Sequence, residues 1–145
     1  MARGTSVVWV CLAAMSAFQL TIAAQTPSQE VHSARDGVYT AAQAQQGKSL
    51  YKNQCAMCHG ESLEGQGENS PLAGRGFLDK WADQTVADLF MKTITTMPMT
   101  GPGSLTPEQT AQVLSYLLSV NKLKPGQQEL PTNPQALEGI HFEKP

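Results

Sequence analysis

Cys55-Ala56-Met57-Cys58-His59 constrains this chain more than any other stretch. Two thiols separated by two residues, with histidine directly after the second, form the covalent attachment signal for c-type haem. The spacing follows from the chemistry. Both thiols add to vinyl groups on one side of the porphyrin, and two intervening residues let one turn of chain span that edge. A histidine placed immediately afterwards brings its imidazole under the ring as the proximal iron ligand. With 3 Cys and 3 His in 145 residues, the pattern is expected by chance roughly 0.001 times.

A Cys-x-x-Cys pair also serves redox dithiols and zinc sites. A thioredoxin-type dithiol calls for a preceding strand and a βαβ setting, and neither is apparent here. Structural zinc needs two further ligands at a second close spacing. The other cysteine is Cys11, and His32 and His141 stand alone in polar flanks. Haem attachment is the reading that the residues favour.

The length predicts one domain with appendages. Arg3 followed by the mostly apolar run Val7–Ile22 and the small residues Ala23 and Ala24 reads as a secretory signal peptide over 1–24. A retained anchor is the alternative, but the run is short of the ~20 residues needed to span a bilayer. Membrane association is expected only if this segment is uncleaved. Cleavage would remove Arg3 and Cys11 and leave 9 basic against 12 acidic residues, net −3. That balance excludes the basic excess of a nucleic-acid binder. Without a lysine-rich face, it also predicts weaker electrostatic steering than a strongly basic cytochrome shows, and a modest salt dependence of partner reactions. The expected compartment is the periplasm. A core of about 80 residues is small, and a covalent haem would supply the staple such domains need.

Residues 25–38 read as a flexible lead-in, 39–121 as the domain and 122–145 as an extended, proline-rich tail. Within that tail Leu130, Leu137, Ile140 and Phe142 either lie against the body or belong to a disordered tail, and the sequence favours neither. The first helix starts after Thr40, with Gln43 completing a capping box, and places Ala44, Gly47, Lys48 and Tyr51 on one face. Gly47 costs about 1 kcal/mol against alanine in a helix, which is easiest to explain by a close crossing. Gly60–Gly76 reads as a long loop packed by the cofactor. A second helix, capped by Thr85 and Asp88, carries Val86, Leu89, Phe90, Thr93 and Ile94 inward. It stops near Thr96 because Pro98 disfavours helical geometry at Met97. The last helix opens with Thr106, Pro107 and Gln109 and buries Val113, Tyr116, Leu117 and Val120. No strand signal appears.

An open sixth iron position would permit gas binding or peroxide chemistry, whereas a thioether there favours electron transfer and a raised potential. Met57 is pinned between the cysteines, and Met91 follows Leu89-Phe90 and reads as packing. Met97 and Met99, on an irregular loop, remain as candidates.

The chain resembles class I cytochromes c. It is most similar to the small single-haem periplasmic cytochromes that accompany quinoprotein and related dehydrogenases. The matching segments are Gly37-Val38-Tyr39-Thr40, Gln46-Gly47-Lys48-Ser49-Leu50-Tyr51, Cys55–Gly60, Pro71-Leu72-Ala73-Gly74, Thr96-Met97-Pro98 and Pro102-Gly103-Ser104-Leu105. The resemblance implies an all-α fold with three main helices around one covalent haem c, ligated by His59 and Met97. It implies a one-electron carrier, not an enzyme, between a dehydrogenase donor and a cytochrome or oxidase acceptor, either free or as the cytochrome subunit of a dehydrogenase complex. The rival is a haem enzyme or sensor with an open or labile sixth site. It also implies that Gly47 meets an aromatic, Tyr116, where first and last helices cross. A proximal-histidine carbonyl acceptor two residues before Leu72 is implied too, although proline usually stands there and this chain has Ser70. Trp81 matches a tryptophan that binds a haem propionate in relatives, and plain core packing is its other reading.

Overall fold

The computed structural model describes Met1 and residues 32–144. The segment read as a signal peptide, Cys11 and the lead-in up to residue 31 lie outside the described residues. The element order is β1 (His32–Ser33), α1 (Ala41–Gln54), α2 (Ala56–His59), α3 (Arg75–Trp81), α4 (Val86–Thr96), α5 (Pro107–Val120), α6 (Pro134–Leu137) and β2 (Ile140–His141). The fold is all-α in character. The only strands among the described residues are two residues long and pair in parallel, His32 with Ile140 and Ser33 with His141. Pieces that short give no periodicity to read.

The two later main helices begin as their caps dictate. Thr85–Asp88 and Thr106–Gln109 each form a complete reciprocal box, with Pro107 in the first turn of α5. At α1 only half the expected box forms. The Thr40 hydroxyl accepts from the Gln43 amide, but the Gln43 side chain is buried and turned elsewhere. Its Nε2 donates to the Leu130 carbonyl at 3.0 Å, and its Oε1 accepts from the Leu130 amide at 2.8 Å. A glutamine side chain thus acts as a strand partner for the C-terminal segment, satisfying a buried peptide on both sides.

The crossing of α1 and α5 is the tightest contact in the fold. A Cβ added at Gly47 would collide with the Gln112 carbonyl, and it would lie 3.0 Å from the Val113 amide nitrogen. The close approach is therefore to backbone, not to the Tyr116 ring. Tyr116 packs instead on Tyr51, with ring centroids 5.4 Å apart. Lys48 stays at the surface.

On α5, Leu114, Leu118, Ala111 and Ser115 are buried alongside Val113 and Leu117, whereas Tyr116 and Val120 are only half-buried. The reason is the C-terminal segment. Leu123, Leu130, Leu137, Ile140 and Phe142 join the same apolar cluster, so α5 is buried on a wider arc than its strongest stripe suggests.

From His32 onward the lead-in is fastened to the chain's other end. His32 N donates to Gly139 O at 2.8 Å and Ala34 N to His141 O at 2.9 Å. Gly37 (φ +73) lies with its Cβ position 2.9 Å from Gly126 Cα, and Gly126 N donates to Tyr39 O at 2.7 Å. The segment from 122 on is partly extended but also carries α6, and Phe142 exchanges backbone hydrogen bonds with Asp83 and Gln84 at 2.9 Å each. Among the described residues no helix is long and apolar enough to cross a membrane.

Candidate haem site

The motif sits where α1 hands over to α2. Cys55 caps the first helix and starts the second, and α2 carries Cys58 and His59 in one short turn. Tyr51, buried in the last turn of α1, donates its hydroxyl to the Gly60 carbonyl at 2.7 Å. Burial, and then the nearby Cys55, push the Tyr51 pKa upward, so it stays a neutral donor. The Gly65 amide donates to the His59 carbonyl at 2.9 Å, and Leu72 N donates to Leu63 O at 2.8 Å. The long loop after the motif is thus folded back on itself over the buried Leu63.

His59 Nδ1 lies 3.0 Å from the Ser70 carbonyl oxygen. A carbonyl only accepts, so Nδ1 carries the hydrogen and Nε2 keeps its lone pair for a metal. Ser70 therefore occupies the position that proline usually takes, because the role belongs to the backbone oxygen. The segment after it is pinned from α5. Asn121 Nδ2 donates to Leu72 O at 3.0 Å and Leu117 O at 2.8 Å, while its Oδ1 accepts from Gly74 N at 2.9 Å. Nothing local in the sequence marks Asn121 for that task.

Cys55, Cys58 and His59 line one cavity of about 280 Å³ together with Met97, Pro98 and Met99 from the loop after α4. Its walls are Leu72, Phe77, Trp81, Leu89, Leu105, Val113 and Leu117, contributed by the loop and by α3, α4 and α5. The seven-residue α3 was hidden in a glycine-containing stretch, yet it supplies Phe77 and Trp81. Trp81 is 8 % exposed and packs with Phe77 and Phe142 at centroid distances of 6.3 Å, so it is core and cavity wall at once. Met97 is half-buried, whereas Met99 is 69 % exposed. Met91, expected to pack, is 43 % exposed, because it falls outside the buried arc of α4. Met57 is 79 % exposed at the cavity rim.

The donor set fits haem better than its rivals. Burial, and secondarily Cys58, push the Cys55 thiol up to about 11. A reactive dithiol needs the opposite shift. Among the described residues no group of three or more His, Cys, Asp or Glu could hold a metal ion. A flat apolar group held through two sulfurs and one nitrogen suits these walls, which is how class I c-type cytochromes hold haem.

The sequence matches the family described as cytochrome C oxidase, cbb3-type, subunit III over residues 42–117, just over half of the chain. The chain belongs to that cytochrome c family, and with it come covalently bound haem c and a role in haem-based electron transfer. Among solved structures it is similar to the sulfane dehydrogenase SoxCD of Paracoccus pantotrophus, with 18% identity and a TM-score of 0.48. That match covers 79% of this chain and 61% of the other. At that degree of likeness the family assignment rests on the sequence match alone. No curated protein matches the chain.

Proposed function

We propose that this cytochrome is a periplasmic single-electron carrier, not an enzyme, and that His59 and Met97 are the residues that would hold its haem iron. It would pass electrons from a dehydrogenase to a downstream cytochrome or oxidase. The supporting observation is that a half-buried methionine on the Met97-Pro98 loop lines the same cavity as the motif histidine.

Haem, when bound, supplies a one-electron iron couple. The chain's part is to hold and insulate it. Cys55 and Cys58 fix its edge, and the Ser70 carbonyl sets the His59 tautomer. Leu89, Val113 and Leu117 keep water from that side of the cavity. The Met97 thioether is a soft neutral donor that favours ferrous over ferric iron. Trp81 would offer its indole N–H to a propionate, the one polar need of an otherwise apolar group.

Two variants of the purified holoprotein test the ligand assignment. Met97→Ala should lower the reduction potential by on the order of 0.1 V or more, within the ~0.8 V that axial ligation spans. It should also let the reduced protein bind carbon monoxide, while Met99→Ala leaves both properties nearly unchanged. The reverse result would move the ligand to Met99. Carbon monoxide binding by the unmodified protein would favour an enzyme or sensor with an open site.

A further inference from the structure

A second groove, of about 490 Å³, lies along the α1–α5 face and shares no lining residue with the haem cavity. Lys48 on α1 and Lys122 and Lys124 after α5 rim it, Tyr116 forms a wall, and Ala44 and Pro125 contribute apolar surface. Among the described residues no acidic side chain lines it. All three lysines are exposed. The ion pairs found among the described residues are Arg35–Glu143, Arg75–Asp79 and Lys144–Asp83, so none of the three lysines is neutralised by another described residue. The negative end of α5 accounts for Lys122 and Lys124, but not for Lys48 on another helix. Lys122 is held at φ +64, which fixes where its side chain leaves the backbone.

We propose that this groove docks a carboxylate-rich segment of a partner protein. Three ammonium groups with no ion-pair partner among the described residues, set around an open, partly apolar groove, match an extended acidic chain. They lack the planar fork or amide nest that would close on a small anion. The placement also suits a redox protein. Tyr116 packs on Tyr51, and Tyr51 bonds to Gly60 beside the proximal histidine. In a chain with net charge −2, such a local cluster overrides the overall balance as the determinant of approach. Only the identification of the partner as a redox protein rests on the carrier reading above.

The test is a titration of reduced, isotope-labelled holoprotein with a deca-glutamate peptide, followed by amide chemical shifts. Saturable shifts are expected at Lys48, Tyr116, Lys122 and Lys124. Affinity should fall tenfold or more in the triple variant Lys48→Gln/Lys122→Gln/Lys124→Gln, while Lys80→Gln/Lys92→Gln at the haem cavity leaves it unchanged. The absence of saturable shifts, shifts centred on Lys80 and Lys92, or the same pattern produced by inorganic phosphate at equal concentration would overturn the proposal. An unaltered haem spectrum and unaltered reduction by ascorbate in the triple variant separate loss of docking from loss of fold or of electron transfer.

Discussion

Where α1 crosses α5, backbone meets backbone at Gly47 and Gln112. Across the haem cavity, by contrast, the helices and the Met97 loop are separated by side chains that line a cavity. On the first face every fastening comes from the polypeptide: the helix crossing, the Gln43–Leu130 pair, and the Tyr39 hydroxyl donated to the Leu123 carbonyl. On the second, Phe77, Trp81, Leu89 and Val113 present apolar surface to the haem cavity. The rear of the domain is therefore fastened by polypeptide contacts, whereas the front presents the walls of the haem cavity. This difference separates substitutions that should damage folding from those that should change redox behaviour.

The largest expected break is at the crossing. Gly47→Leu should abolish recovery of folded holoprotein. Gly47→Ala, which brings only a Cβ against the Gln112 carbonyl, should still cost about 2–3 kcal/mol, read from yield and denaturant midpoint. Normal yield with an unchanged haem spectrum would show that the helices can separate cheaply there. Next comes the C-terminal segment. Leu137 is fully buried, and Leu137→Ala should cost roughly 2–5 kcal/mol, with faster amide exchange at Leu130 and Phe142 while the potential is unmoved.

Asn121→Ala links the two faces. It strips partners from the exposed Gly74 N and the half-buried Leu72 O, at about 1 kcal/mol for hydrogen bonds that water can partly replace. Because residues 72–74 follow Ser70, the His59 ring signals should also shift in the reduced protein's spectrum. An unchanged spectrum would confine Asn121 to a structural role.

The smallest effect is at the α4 cap. Asp88 has its pKa lowered, first by accepting from the Thr85 backbone amide and then from its hydroxyl. A depressed carboxyl contributes stability above its ordinary value of 3.8, lost as pH falls through the lower folded value. Thr85→Ala should cost about 1 kcal/mol near neutrality, and the gap from the unmodified protein should narrow below that value. A constant gap down to pH 2 would remove Asp88 from the account.

Much of the haem site was legible because its chemistry is contiguous: the attachment motif occupies five consecutive residues. The caps at Thr85 and Thr106 were equally local. What stayed hidden depends on distance along the chain. Gln43 looked like half of a capping box because Leu130, its actual partner, lies far downstream. Asn121 reaches back to Leu72 and Gly74, and Lys48 joins Lys122 and Lys124 only through the helix crossing. The sequence therefore led to the expectation of no lysine-rich face, whereas the surface has a groove rimmed by three lysines. The helix at Arg75–Trp81 was missed for another reason: seven residues after a glycine give less than two turns of periodicity.

The parallel pairing of His32 with Ile140 places the start and finish of the described domain side by side. Topologically residues 32–144 form almost a closed ring, so a short flexible linker from residue 144 back to residue 32 would complete it with little added strain. New termini could then be opened at the exposed Gly67–Glu68 turn, leaving the helix crossing covalently continuous.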